Sequence, residues 1–95
     1  MAAYLIADIH ITDPDGYKEY VAGAGATVDQ YGGRYLVRGG PTSVLEGDPS
    51  PGRFVVLEFP DMASLKAWYD SDEYRPLRDL RQRCATAKIF TVEGA

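Results

Sequence analysis

Residues 4–14 read YLIADIHITDP, a strand that runs directly into a helix start, and their reading decides the fold. Leu5, Ala7, Ile9 and Ile11 fall on one face, while Tyr4, Ile6, Asp8 and His10 fall on the other. This period-two alternation is that of a strand with one face on a core. Asp13 is a good N-cap, and Pro14 suits the first helical position because its missing N–H would be unpaired there anyway. The helix that follows carries Tyr17, Tyr20, Val21, Ala24, Val28 and Tyr31 on one stripe, and Gly32-Gly33 ends it. Gly23 and Gly25 inside it cost about 1 kcal/mol each relative to Ala, which points to close packing or a local irregularity.

Working outward, Arg34 to Arg38 forms a second strand, with Tyr35 and Val37 toward the core and Arg34 and Arg38 opposite. It stops at Gly39-Gly40-Pro41, where a positive φ is expected at one of the glycines. Thr42 to Glu46 reads as a short extended piece, either a continuation past a bulge or a separate edge strand. Residues 47–52 form a Pro/Gly loop. Arg53 to Phe59 (RFVVLEF) is the strongest strand, with Val55, Leu57 and Phe59 on one face and Phe54, Val56 and Glu58 on the other. Pro60-Asp61 caps a helix that buries Leu65, Trp68 and Tyr69, and Ser71 to Tyr74 is a turn. A further helix from about Pro76 turns Leu77, Leu80 and Cys84 inward. Thr86 to Glu93 is the last strand, its two faces not clearly separated. The order predicts one α+β domain over residues 1–95, a ferredoxin-like βαββαβ antiparallel sheet with its helices on one face. The other face, with Ile6, Phe54 and Val56, is too apolar to leave in water, so a homodimer is expected.

Composition narrows the function classes. At 95 residues, 45% hydrophobic and 25% charged, the chain has the balance of one folded domain with a modest core. A net charge of −4 argues against general nucleic-acid binding. Tyr4 to Ile11 is too short and too interrupted to cross a membrane and has neither a basic leader nor a small-residue cleavage site, so no membrane association is expected. Cys84 is the one cysteine, and a cytoplasmic location follows as the expectation. One His and one Cys do not build a zinc site, so no metal and no cofactor is expected. Residues 1–74 carry five basic and twelve acidic side chains, whereas 75–95 carry five basic and two acidic. Arg75, Arg78, Arg81 and Arg83 supply most of that bias, either as a solvated helix face or to capture a small anion.

Candidate site residues come from the sheet. With the first strand and Arg53–Phe59 taken as central, parallel neighbours, Asp8, His10 and Glu58 share the open face, and His10 and Glu58 meet at one end. Arg38 and Arg34 join them there. A His beside a carboxylate is an acid–base pair, and an Arg fork holds a carboxylate or enolate oxygen. The competing reading is a salt-bridge network that sets dimer register. Trp68 reads as core, Tyr74 as a residue bordering a pocket, and Cys84 as a buried thiol without a nucleophile's partner.

Several stretches, in order and spacing, resemble the DUF1330 family: Thr12-Asp13-Pro14, Gly32-Gly33-Arg34, Arg38-Gly39-Gly40 and Glu46-Gly47. Glu58-Phe59-Pro60, Trp68-Tyr69, Ser71-Asp72-Glu73-Tyr74 and Leu80-Arg81 extend the match to nearly the whole chain. The resemblance implies a dimeric α+β barrel, in a superfamily that includes cofactor-independent monooxygenases, haem-degrading enzymes, muconolactone isomerases and ligand-sensing domains. The haem degraders use a helix His, and the one His here is on a strand. Fold and family together imply a homodimeric module that binds a small organic metabolite. The alternative is a cofactor-independent monooxygenase or isomerase acting on a small oxygen-rich or aromatic metabolite, with His10 as acid–base, Glu58 as its partner and Arg38 as anion clamp.

Overall fold

In the computed structural model, which describes residues 1–47 and 51–95, the chain runs β1 (Ala3–Ile11), α1 (Pro14–Gln30), β2 (Arg34–Arg38), β3 (Arg53–Phe59), α2 (Met62–Tyr69), α3 (Arg75–Cys84) and β4 (Ala85–Glu93). Local chemistry sets the starts of the first two helices. The Asp13 carboxylate accepts from the Gly16 N–H at 3.3 Å, and Asp61 accepts from the Ser64 N–H at 2.7 Å. Each satisfies a donor that the first helical turn leaves unpaired. Gly32, at φ 81°, ends α1, as its sequence position predicts.

The strands form one sheet in the order β2-β3-β1-β4, and every neighbouring pair is antiparallel. This is the ferredoxin-like arrangement, with one correction. The expectation that β1 and β3 are parallel is overturned: Ala3 lies opposite Phe59, and Ile9 opposite Arg53. The reason is connectivity. Helix α1 crosses over so that β2 runs in the direction of β1, leaving a gap of one strand. The β2–β3 connection then reverses the chain, and β3 fills the gap antiparallel to both.

The helices cover one face, where Ala3, Leu5, Ala7, Ile9, Leu57 and Phe59 pack against Tyr17, Val28, Leu65, Trp68, Tyr74 and Cys84. Burying each large side chain of this set contributes roughly 1.5–3 kcal/mol. Gly23 is a close-packing site: a Cβ there would stand 3.0 Å from Leu77 of α3. The opposite face carries Ile6, Val56, Val37, Phe90 and Val92 with no layer of described residues over it, and the domain is a slab 16 Å thin. In β4, Ile89 lies opposite Ala7 on the helix side and Phe90 opposite Ile6 on the open side, which separates the two faces.

Two further expectations are corrected. Thr42 to Glu46 forms no strand among the described residues; Leu45 is almost fully exposed and has no apolar face to bury. The predicted 47–52 loop falls partly on residues 48–50, outside the described ones. The second correction is in β2, where the register slips between Tyr35 and Val37. Leu36 is the extra residue of a bulge, so Val37 turns to the open face opposite Val56, and Arg38 turns to the helix face opposite Val55.

Gly39 ends β2 at φ 71°, with its N–H donating to Phe54 O at 2.8 Å, and a Cβ there would collide with the Arg53 guanidinium. Gly39→Val should therefore lower the unfolding free energy by about 1–2 kcal/mol or more. Gly40→Val, whose Cβ would meet open space among the described residues, should stay within about 0.5 kcal/mol. Urea unfolding curves of the two variants check this, and equal midpoints would contradict it.

Candidate functional site

The predicted cluster of Asp8, His10, Arg38 and Glu58 does not assemble in one place. Because β3 is antiparallel to β1, Glu58 lies opposite Tyr4, six residues from His10, which is roughly 20 Å at 3.3 Å per residue. The His10–Glu58 pair is therefore not formed. Glu58 instead accepts from Arg34 Nε at 2.6 Å on the open face. Asp8 accepts from the Gly52 N–H at 2.8 Å, tying down the entry to β3, and stands 3.5 Å from His10 Nε2. His10 is 53% exposed at the sheet's rim. Arg38 parts from the other three through the Leu36 bulge and stacks over the Tyr35 ring at 4.0 Å on the helix side.

On that side lies a narrow cavity of ≈ 30 Å³ between sheet and helices, which Arg38 helps to line. Its floor is Leu5, Ala7 and Ile9 of β1 with Val55 and Leu57 of β3. Its roof is aromatic: Tyr17 and Tyr20 of α1, Trp68 and Tyr69 of α2, and Tyr74 from the turn before α3. The Trp68 and Tyr74 rings stack at 4.1 Å, and Tyr20 and Tyr74 share a hydrogen bond between their hydroxyls at 2.8 Å.

Side-chain bonds behind the roof hold these rings. The Trp68 indole N–H donates to Thr27 Oγ at 3.0 Å, and that hydroxyl donates to Ala24 O at 2.7 Å. Ser71 Oγ donates to Trp68 O at 2.7 Å and accepts from the Tyr74 N–H at 3.1 Å. One serine therefore links the end of α2 to the tyrosine that opens α3.

Sequence reasoning missed Arg81. It reads as part of a solvated arginine face, yet it is 3% exposed and lines the cavity. Spacing held the signal: Tyr74, Leu77, Arg81 and Cys84 recur at helical intervals, so Arg81 belongs to the inward stripe. Its Nε and Nη2 are buried and have no hydrogen-bond partner among the described residues. Burial acts to lower its pKa, but the neighbouring Tyr74, Tyr20 and Tyr69 outweigh it and push the pKa up, so the group stays charged. Arg53 also lines the cavity, with its guanidinium 5.9 Å from the Tyr17 ring centre and a buried Nε that has no hydrogen-bond partner among the described residues.

Burial dominates the tyrosines. It raises the pKa of Tyr20, with Tyr74 adding to the shift, and raises Tyr17 and Tyr35 although Arg53 and Arg38 act to lower them. Cys84 is raised first by burial and then by the nearby Asp13 carboxylate, a setting that disfavours the thiolate. No three His, Cys, Asp or Glu side chains converge on a metal-sized site among the described residues.

Residues 2–95 match the family described as "Domain of unknown function (DUF1330)". The chain belongs to the DUF1330 family. No curated protein matches this DUF1330 chain. Its fold is similar to that of a protein of unknown function from Rhodopseudomonas palustris, at 16% identity and TM-score 0.81, over 99% of this chain and 82% of that one. A dimeric ferredoxin-like protein of unknown function from a Jannaschia species is 14% identical with TM-score 0.75, over 99% and 100% of the two chains. SnoaB, a cofactor-independent oxygenase from Streptomyces nogalater, is 9% identical with TM-score 0.69, over 99% and 93%.

Two outcomes follow from this geometry. Thr27→Val leaves the buried Trp68 N–H without an acceptor and should cost about 1–3 kcal/mol in chemical denaturation; an unchanged midpoint would contradict the bond's role. The second concerns pH. A neutral tyrosine whose folded pKa is raised contributes stability that is complete below the unfolded value of about 10 and is lost as pH climbs beyond it. Tyrosinate absorbance should then show a subset of the seven tyrosines ionising only as circular dichroism reports unfolding. All seven ionising while the fold stays intact would contradict it.

Proposed function

We propose that this DUF1330 protein is a cytoplasmic homodimeric module that binds a small organic molecule in the cavity between sheet and helices of each subunit. The observation that carries this reading is a polar, charged lining inside an otherwise apolar core. Tyrosine hydroxyls and arginine nitrogens converge on one interior space, where filling with aliphatic side chains would give a more stable core. Arg38 stays in the site at its rim. Asp8, His10 and Glu58, on the far face, serve the contact between subunits.

The homodimer is supported by the uncovered apolar face around Ile6, Val56 and Phe90, and by the dimeric state of the Jannaschia protein of similar fold. Among the described residues no helix is long and apolar enough to cross a membrane. A second reading, a cofactor-independent monooxygenase or isomerase, is favoured by one observation, the Tyr20–Tyr74 hydroxyl pair inside the cavity. The fold shared with SnoaB agrees with it.

Trp68 is the one tryptophan and stands in the cavity roof, so its indole N–H resonance is a local reporter. Screening a library of small charged and neutral fragments should find compounds that shift this resonance. A library that leaves it unmoved would contradict binding there. Mass spectrometry of a binder after incubation in air separates the readings: an unchanged compound means a binding module, and a product means an enzyme. Light scattering over a dilution series should give twice the chain mass, and a folded monomer at every concentration would contradict the dimer.

A further inference from the structure

We propose that the ligand of this cavity is a small carboxylate with an apolar body, anchored by the Arg81 guanidinium. The proposal rests on the binding reading above and adds the chemical class of the ligand. Its first support is the contrast between Arg81 and three arginines nearer to solvent. Arg34 pairs with Glu58 at 2.6 Å, Arg75 with Asp72 at 2.8 Å and Arg78 with Asp70 at 3.8 Å. The buried arginine, where an unpaired charge costs most, has no such partner among the described residues. Arginine cannot shed its proton to escape that cost.

Three arginines (Arg38, Arg53 and Arg81) line the cavity, and among the described residues no Asp or Glu does. The interior is therefore cationic in a chain of net charge −4. A bound anion would complete it.

The free atoms also select a shape. Nε and Nη2 form one edge of the guanidinium plane, packed out of reach of water, and a planar carboxylate that reached this edge would meet two parallel N–H bonds. The Tyr20–Tyr74 bond uses one hydroxyl proton and leaves the other to donate. At ≈ 30 Å³ the cavity holds a group of a few atoms, since one water needs about 10–15 Å³. The head group alone fits inside. Tyr17, Val21 and Arg53 are shared with an adjoining groove of ≈ 330 Å³ beside Ile11 and Pro14, whose charged residues, Lys18 and Arg53, are both cationic. That groove takes the apolar body.

The test compares benzoate and hexanoate with their uncharged isosteres, benzamide and hexanamide, by titration against the Trp68 indole resonance and by thermal shift. The acids should bind at least about tenfold tighter than the amides, the advantage of a charge-assisted fork. Arg81→Gln should erase that difference, and Arg81→Lys should restore part of it. If the Gln variant does not fold, the isostere comparison on the native chain decides alone. Amides that bind as tightly as acids would overturn the carboxylate proposal and leave the binding site standing. So would neutral fragments that bind where both acids fail. If no compound of either kind moves Trp68, the proposal and the binding reading fall together.

Discussion

The pairing of β1 with β3 on one side and β4 on the other is the constraint on which the rest of the structure depends. It places Ala3, Leu5, Ala7 and Ile9 on the helix side, and the last three become, with Val55 and Leu57, the floor that the aromatic roof faces. Ala7, between Leu5 and Ile9, is the short one. A short floor under large rings leaves space, and the cavity is that space. The same pairing sets the polarity of the open face: reversing β3 relative to β1 sends Glu58 to one end of the sheet and His10 to the other.

A core that encloses a guanidinium needs a reason to tolerate it. Arginine is more weakly hydrated than lysine, and the neighbouring Tyr74, Tyr20 and Tyr69 favour the charged form of Arg81. The aromatic roof therefore has two effects. It contributes buried area and ring–ring contacts of Trp68 with Phe59, Tyr69 and Tyr74, and it softens the electrostatic cost of the charge beneath. Thr27 and Ser71 keep those rings in place through bonds to groups that burial would otherwise leave unpaired.

Much of this was legible in the sequence because much of it is local. The alternation from Tyr4 to Ile9, the caps at Asp13 and Asp61, the strand at Arg53 to Phe59, the stop at Gly32-Gly33 and the positive φ at Gly39 depend on a few neighbouring residues each. The candidate site fared worse because it depends on relations between elements. Strand polarity follows from the connections rather than from the pattern within a strand, and taking β1 and β3 as parallel brought together His10 and Glu58, which stand far apart. One inserted residue, Leu36, moved Arg38 from the open face to the cavity, and no residue type in Arg34 to Arg38 marks that bulge. Arg81 was hidden by its charge: its spacing assigns it to the inward stripe, while its chemistry argues for water. Thr42 to Glu46 pairs with no strand among the described residues, and Val44 and Leu45 stay exposed there.

The most direct measurement is the Nε–Hε resonance of Arg81 in an arginine-selective nitrogen-15 spectrum of the native protein. A guanidinium enclosed beneath the tyrosines should give a sharp, slowly exchanging Nε–Hε signal, distinct from those of the outward Arg75 and Arg83, that moves downfield when a carboxylate binds. An Arg81 signal that exchanges with water as fast as those two, and ignores added carboxylate, would contradict an enclosed charge and the cavity built around it.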